Sequence, residues 1–228
     1  MPKLPVPLYH GTSTLFLSGI IESGLGGKNP ILDWGVLDFA QTINPLVQEQ
    51  FSNDEGWMAK AQSFGWMVNQ QTGEMNFQHG DTYLSASKDT AIRYAVSKRA
   101  GSELLSYSLD FLNELVRRKV PGVADKLYRR YPGIFELLDI SCAPLLVEVR
   151  HVACEDLVDE HGRDAQQNIT LINSVAREER DAKDVLLQQV NFRLLGSVPL
   201  DSLTIRFINV SRWDRFLPQY TLHSLEIP

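Results

Sequence analysis

Cysteine is scarce in this chain, which has only Cys142 and Cys154 among 228 residues. Two cysteines can form at most one disulfide, so the fold does not depend on a disulfide framework. The histidines and cysteines also lack the short, regular spacing of zinc ligands, and we therefore expect no metal site. Neither a glycine-rich phosphate loop nor a Gly-x-Ser-x-Gly turn is present, which argues against two further classes of enzyme.

Long apolar runs and an excess of positive charge are missing as well. No run approaches the roughly 20 apolar residues that a membrane-spanning helix needs, and no signal-peptide pattern precedes the first predicted strand. We expect a cytoplasmic protein with no membrane partner, or an effector exported without a cleavable signal. The formal net charge of -6 argues against a broad phosphate-binding surface, which makes nucleic acid a disfavoured partner.

The hydrophobic content, 43% of 228 residues, is sufficient for a sizeable core. We predict a single domain over residues 1–228 with an insertion at about residues 26–78, where glycine, asparagine, glutamine and tryptophan accumulate. Within the insertion, residues 52–64 favour a helix and residues 66–77 favour a hairpin. The insertion is either a peripheral subdomain whose tryptophans pack on the main core or a lid that selects the substrate.

The remaining pattern predicts a mixed α+β fold. Three apolar-periodic segments predict helices. The first is capped by Thr12 or Ser13 and ends at Gly24, the second is capped by Ser87 and runs to about Arg99, and the third covers Ser102 to Lys119 and ends before Pro121-Gly122. Short strands are predicted at residues 5–9, around Tyr83, and at residues 145–152, 187–195 and 203–210. The alternation over residues 145–152 predicts a strand with one face in water.

Two motifs about seventy residues apart carry the functional information. The first is Leu8-Tyr9-His10-Gly11-Thr12, a strand ending in a His-Gly-Thr corner. The second is Gly80-Asp81-Thr82-Tyr83-Leu84-Ser85, followed by Ala91 and Tyr94 on the next helix. In this order the pair resembles the catalytic half of the ADP-ribosyltransferase superfamily, which includes diphtheria toxin, the poly(ADP-ribose) polymerases and, more distantly, the RNA 2′-phosphotransferases.

The resemblance implies an ADP-ribosyltransferase-like split antiparallel β-sheet with flanking helices, and NAD as a substrate. The resemblance implies that the first motif, His10-Gly11-Thr12, binds NAD, with His10 hydrogen-bonding the adenine-side ribose. Gly11 would offer its backbone to the nicotinamide amide, which can approach closely only where no Cβ intervenes.

The second motif supplies the rings that the resemblance assigns to the nicotinamide. Tyr83 would stack on one face of the heterocycle and Tyr94 on the other, each stacking contact contributing about 1 kcal/mol beyond buried area. Thr90 stands where relatives carry a small hydroxyl residue that bonds the same amide.

The chain departs from the superfamily at the late strand, where relatives usually carry a glutamate that favours the positive charge developing as nicotinamide leaves. The matching positions here are Gln189 and Asn191, which we take as the candidate catalytic residues. An amide can hold a ribose hydroxyl but contributes no negative charge. Glu148 and Glu178 are possible replacements, and the alternative is that both amides simply lie on an exposed strand face.

We therefore predict an NAD-dependent mono-ADP-ribosyltransferase of the toxin or effector kind, a glycosyltransferase acting on a protein acceptor that the insertion helps to select. The alternative is a noncatalytic module that binds NAD, ADP-ribose or a partner protein. An RNA 2′-phosphotransferase, for which Arg93 and Arg99 could grip phosphates, is disfavoured by the acidic charge.

Overall fold

The structure, a computed structural model, describes residues 3–69, 79–213 and 218–225. The chain divides into two compact units. The first, called the sheet unit, comprises Met1–Lys28, Asp81–Gly101 and Cys142–Pro228. The second, called the helical unit, comprises Asn29–Gly80 and Ser102–Ser141. The predicted organisation, one domain with an insertion at about residues 26–78, differs from this division because Ser102–Ser141 joins the inserted segment.

Within the described residues, seven strands form one antiparallel sheet in the order β4-β5-β2-β1-β3-β6-β7. The strands are β1 (Leu8–Ser13), β2 (Thr82–Ser85), β3 (Pro144–Val149), β4 (Leu157–Asp159), β5 (Asn191–Leu194), β6 (Leu203–Arg212) and β7 (Gln219–Ser224). Helices accompany this sheet, which confirms the predicted α+β class.

The α-helices are α1 (Leu17–Ser23), α2 (Pro30–Asp33), α3 (Val36–Phe51), α4 (Met58–Val68), α5 (Lys88–Ser97), α6 (Glu103–Arg117), α7 (Tyr128–Arg130), α8 (Pro132–Glu136), α9 (Gln166–Val175) and α10 (Arg180–Leu186). The cap predicted at Ser87 is confirmed, and of the two candidates Thr12 and Ser13 the cap is Ser13. Ser13 accepts a backbone N–H at the 3-10 turn that leads into α1, and Ser87 and Ser102 do so at the starts of α5 and α6.

Two predictions about the strands are wrong, for one reason. β1 does not end at His10 but continues to Ser13, because every residue from Leu8 to Ser13 pairs with β3. β3 in turn lies between β1 and β6, and its residues 145–149 are all buried rather than wet on one face. Long-range pairing and the helix packed on Leu146 outweigh the local alternation.

The helical unit has its own core. Phe111 of α6 packs against Phe51 of α3 and Phe64 of α4, with ring centroids 5.2 Å and 5.1 Å away, and Trp57 joins the same cluster at 5.4 Å. Removing the predicted insertion alone would therefore uncover the apolar face of α6. α4 extends through residue 68, so the predicted hairpin is wrong over residues 66–68, and residues 70–78 lie outside the described residues.

The ladder between β1 and β2 is much shorter than its neighbours. It consists of one pair, Tyr9 with Ser85. By contrast, β1 and β3 pair from Leu8 to Ser13, and β2 and β5 pair from Thr82 to Ser85. The sheet is thus two well-paired halves that meet at a single residue pair.

Candidate functional site

Beyond the pair of Tyr9 with Ser85, β1 and β2 are no longer paired, and the imidazole of His10 connects the two strands. Its Nδ1 lies 2.8 Å from the backbone carbonyl oxygen of Tyr83 in β2. Continuing the register from Tyr9 and Ser85 would place Gly11 opposite Tyr83, but no such pair forms. The structure therefore brings His10, Gly11 and Tyr83 to the same junction.

The charge state of His10 follows from its surroundings. Burial lowers the pKa of His10 below its ordinary value, although the hydrogen bond to Tyr83 opposes this shift. Because a carbonyl oxygen can only accept, Nδ1 carries the hydrogen of the neutral ring. Nε2 is then a hydrogen-bond acceptor, and it contacts no hydrogen-bonding group among the described residues. Such an atom suits the hydroxyl of a sugar.

This charge state predicts a pH dependence of folding. The imidazole titrates near pH 6.5 in the unfolded chain and at a lower pH in the folded protein. Between these two pKa values the unfolded chain binds more protons than the folded one. The free energy of unfolding therefore falls as the pH drops below about 6.5. We expect wild type to lose more unfolding free energy than His10→Gln between pH 7.5 and pH 5.5, measured by urea denaturation. A difference between the two proteins that stays constant over this range would show that burial does not perturb His10.

The reason for glycine at position 11 differs from the one expected. A Cβ there would lie 2.0 Å from the carbonyl oxygen of Ala91 and 3.1 Å from the backbone nitrogen of Ala95. The close approach of α5 to β1 is therefore sufficient to require the missing side chain. Thr12 also differs from its predicted role, because it is only 1% exposed and a ligand cannot reach its hydroxyl in this conformation.

The N-terminus of α5 is held by a carboxylate from α10. Asp184 accepts hydrogen bonds from the backbone nitrogens of Lys88 at 2.6 Å and Asp89 at 3.4 Å, and from the Ser87 hydroxyl at 3.0 Å. A negative charge at this end of a helix is favoured by the helix dipole. Burial and the neighbouring Asp184 raise the pKa of Asp89. These contacts fix the helix that carries Thr90 and Tyr94.

The hydroxyl of Thr90 is already engaged in hydrogen bonds. It donates to the carbonyl oxygen of Gln188 at 3.2 Å and accepts from Arg93 at 3.1 Å. It thereby ties α5 to the turn before β5. Its hydrogen is not available to a ligand, so the predicted contact with an amide is restricted to accepting an N–H.

The two tyrosines lie on the same side of the sheet. α5 packs on the face of the sheet toward which a side chain at position 11 would point. Tyr9 lies two residues from Gly11 and is paired with Ser85, which lies two residues from Tyr83, so all of them share that face. Tyr83 is half-buried and Tyr94 is 37% exposed. The sandwich of a heterocycle between the two rings remains a prediction.

The predicted late strand begins later than expected. β5 starts at Asn191, whereas Gln189 lies in an exposed turn. The prediction that Gln189 and Asn191 alternate along one strand is therefore wrong. Asn191 pairs with Ser85, and so belongs to the face of Tyr83. Its amide Nδ2 donates to Oε2 of Glu160 at 3.2 Å.

Glu148 and Glu178, the two acids that the sequence offered as replacements, do not lie at the start of β5. Glu148 of β3 is bound by Arg206 at 2.7 Å and Arg150 at 2.6 Å. Burial alone would raise the pKa of Glu148, but these two guanidinium groups hold it below its ordinary value. Glu178 is exposed after α9. Sequence reasoning missed Glu160 because the three-residue strand before it, β4, has no detectable periodicity.

The described residues contain no cluster of three histidine, cysteine or acidic side chains that could hold a metal. Cys142 and Cys154 are both free thiols. No helix in the described ranges is long and apolar enough to cross a membrane.

The chain was compared with protein-family models, with curated proteins and with solved structures, and none of them matches it.

Proposed function

We propose that the protein is an NAD-dependent mono-ADP-ribosyltransferase with an ADP-ribosyltransferase-like split sheet, which transfers ADP-ribose to a protein acceptor. The observation that carries the proposal is the His10 imidazole bound to Tyr83 across the single-pair junction of β1 and β2. The junction supports a sheet split between these strands. The two backbone segments that flank this junction carry the residues of the two motifs.

Each ligand group has a complementary residue in this site. The neutral Nε2 of His10 can accept from a ribose hydroxyl, which is a donor of ordinary strength. Tyr83 and Tyr94 share the face covered by α5 and could bury a flat heterocycle between them. Asn191, on the same face, offers an amide to the second ribose. His10, Tyr83, Tyr94 and Asn191 are therefore the residues that support a dinucleotide ligand.

A noncatalytic NAD-binding module is the second candidate, and the amide at position 191 is the observation that favours it. An amide holds a hydroxyl without stabilising positive charge at the anomeric carbon. The two candidates differ in what happens to NAD after it binds.

The experiment that separates them follows nicotinamide release from NAD and the attachment of ADP-ribose to protein. We expect wild type to release nicotinamide and to gain the mass of ADP-ribose by automodification, both detected by mass spectrometry. Tyr83→Ala should weaken both signals at limiting NAD because it removes one stacking surface. NAD binding without release would favour the noncatalytic module, and absence of both binding and release would overturn the proposal.

A further inference from the structure

The carboxylate of Glu160 lies beside Asn191, the residue at the strand position where relatives carry a glutamate. β4 and β5 pair in the register Leu157 with Leu194, Val158 with Arg193 and Asp159 with Phe192. The next residues in that register are Glu160 and Asn191, and Asn191 Nδ2 lies 3.2 Å from Glu160 Oε2. Both residues are half-buried. The negative charge absent from β5 is thus present one strand away.

This contact also determines how Asn191 is oriented. A carboxylate only accepts hydrogen bonds, so the NH2 group of the amide must be the one that faces Glu160. The carbonyl Oδ1 is then the amide atom left to face another group. The backbone carbonyl of Asn191 accepts a hydrogen bond from Asn168 at 3.1 Å, which holds the start of β5 in place. The pair therefore has a defined geometry.

We propose that Glu160 supplies the negative charge for cleavage of the glycosidic bond, with Asn191 as the residue that positions its carboxylate. This inference rests on the proposed function. The assignment follows from the paired register, the shared face with Tyr83 and the hydrogen bond, and it places the acid on β4 instead of β5.

The cleavage of the glycosidic bond needs only NAD, an acceptor and the Glu160 carboxylate for its atoms and electrons to balance. The bond between the anomeric carbon and the nicotinamide nitrogen breaks, and its electron pair leaves with nicotinamide, which becomes neutral. Positive charge develops on the anomeric carbon and the ring oxygen, where a carboxylate in a partly desolvated site is stabilising. An acceptor hydroxyl or water then donates an electron pair to the anomeric carbon. Its proton passes to the Glu160 carboxylate and on to solvent.

The test measures kcat for nicotinamide release and the Kd for NAD in four proteins: wild type, Glu160→Gln, Glu155→Gln and the double variant Glu160→Gln/Asn191→Glu. Glutamine keeps an acceptor for Asn191 and removes only the charge. Glu155 is an exposed acid just before β4 and serves as the matched control. Circular dichroism establishes that each variant is folded.

We expect Glu160→Gln to lower kcat about 100-fold with Kd within about twofold of wild type, since the charge acts in the transition state and not in binding. Glu155→Gln should match wild type. The double variant should recover at least about tenfold of the loss, because it places an acid on the neighbouring strand. A merely structural Glu160 would not lower kcat while leaving the Kd and the fold unchanged.

Two outcomes would overturn the inference, and they are distinguishable. If wild type releases nicotinamide and Glu160→Gln does so at the same rate, Glu160 is not the source of charge while the proposed function stands. If wild type neither binds NAD nor releases nicotinamide, the proposed function fails and the inference fails with it.

Discussion

Gly11→Ala is expected to lower the free energy of unfolding by about 3 kcal/mol, the upper end of the range for overpacked sites. The added Cβ would lie 2.0 Å from the carbonyl oxygen of Ala91. That oxygen belongs to the backbone of α5, so no side-chain rotation can relieve the clash. The helix must move away from β1, which disrupts the packing of Ala91 and Ala95 on this face of the sheet.

Gly133→Ala is the matched control. Gly133 lies in α8, and a Cβ there meets no atom within 4 Å. Its stability should change by less than about 1 kcal/mol, with helix propensity favouring alanine. Urea denaturation followed by circular dichroism measures both variants. Equal midpoints for Gly11→Ala and wild type would mean that α5 does not approach β1 as closely as the structure shows.

His10→Ala is expected to weaken NAD binding by about 1–3 kcal/mol, equivalent to roughly 5- to 150-fold in Kd. The neutral imidazole offers Nε2 to a ribose hydroxyl, and the ring also fixes Tyr83 through its backbone. Alanine removes both contacts, and it leaves the Tyr83 carbonyl without the hydrogen bond that His10 donates.

His223→Ala serves as the control for this prediction. His223 is exposed on β7, and its ring contacts the hydroxyl of Thr221 at 3.2 Å. We expect its Kd for NAD, measured by calorimetric titration, to equal that of wild type. An unchanged Kd for His10→Ala, in a variant shown to be folded, would remove His10 from the ligand site.

The parts of the fold that the sequence predicted are those with local causes. Ser13 and Ser87 cap helices because a serine oxygen can satisfy a backbone N–H a few residues away, wherever the rest of the chain lies. The two motifs also placed His10 and Tyr83 together, since each lies in a strand flanking the same junction.

The parts that could not be predicted depend on contacts between distant segments. The alternation over residues 145–152 resembles a half-wet strand, but the neighbours of β3 bury both faces of it. The requirement for Gly11 comes from α5, eighty residues later in the chain. Glu160 becomes relevant only through the register of β4 on β5, which no local pattern of so short a strand encodes.

Structure determination of the protein with NAD bound tests the central claim most directly. We predict one NAD at the junction of β1 and β2, with Nε2 of His10 within hydrogen-bond distance of a ribose hydroxyl. We also predict the nicotinamide ring between Tyr83 and Tyr94. NAD bound elsewhere, or a junction that stays empty at saturating NAD, would contradict the account.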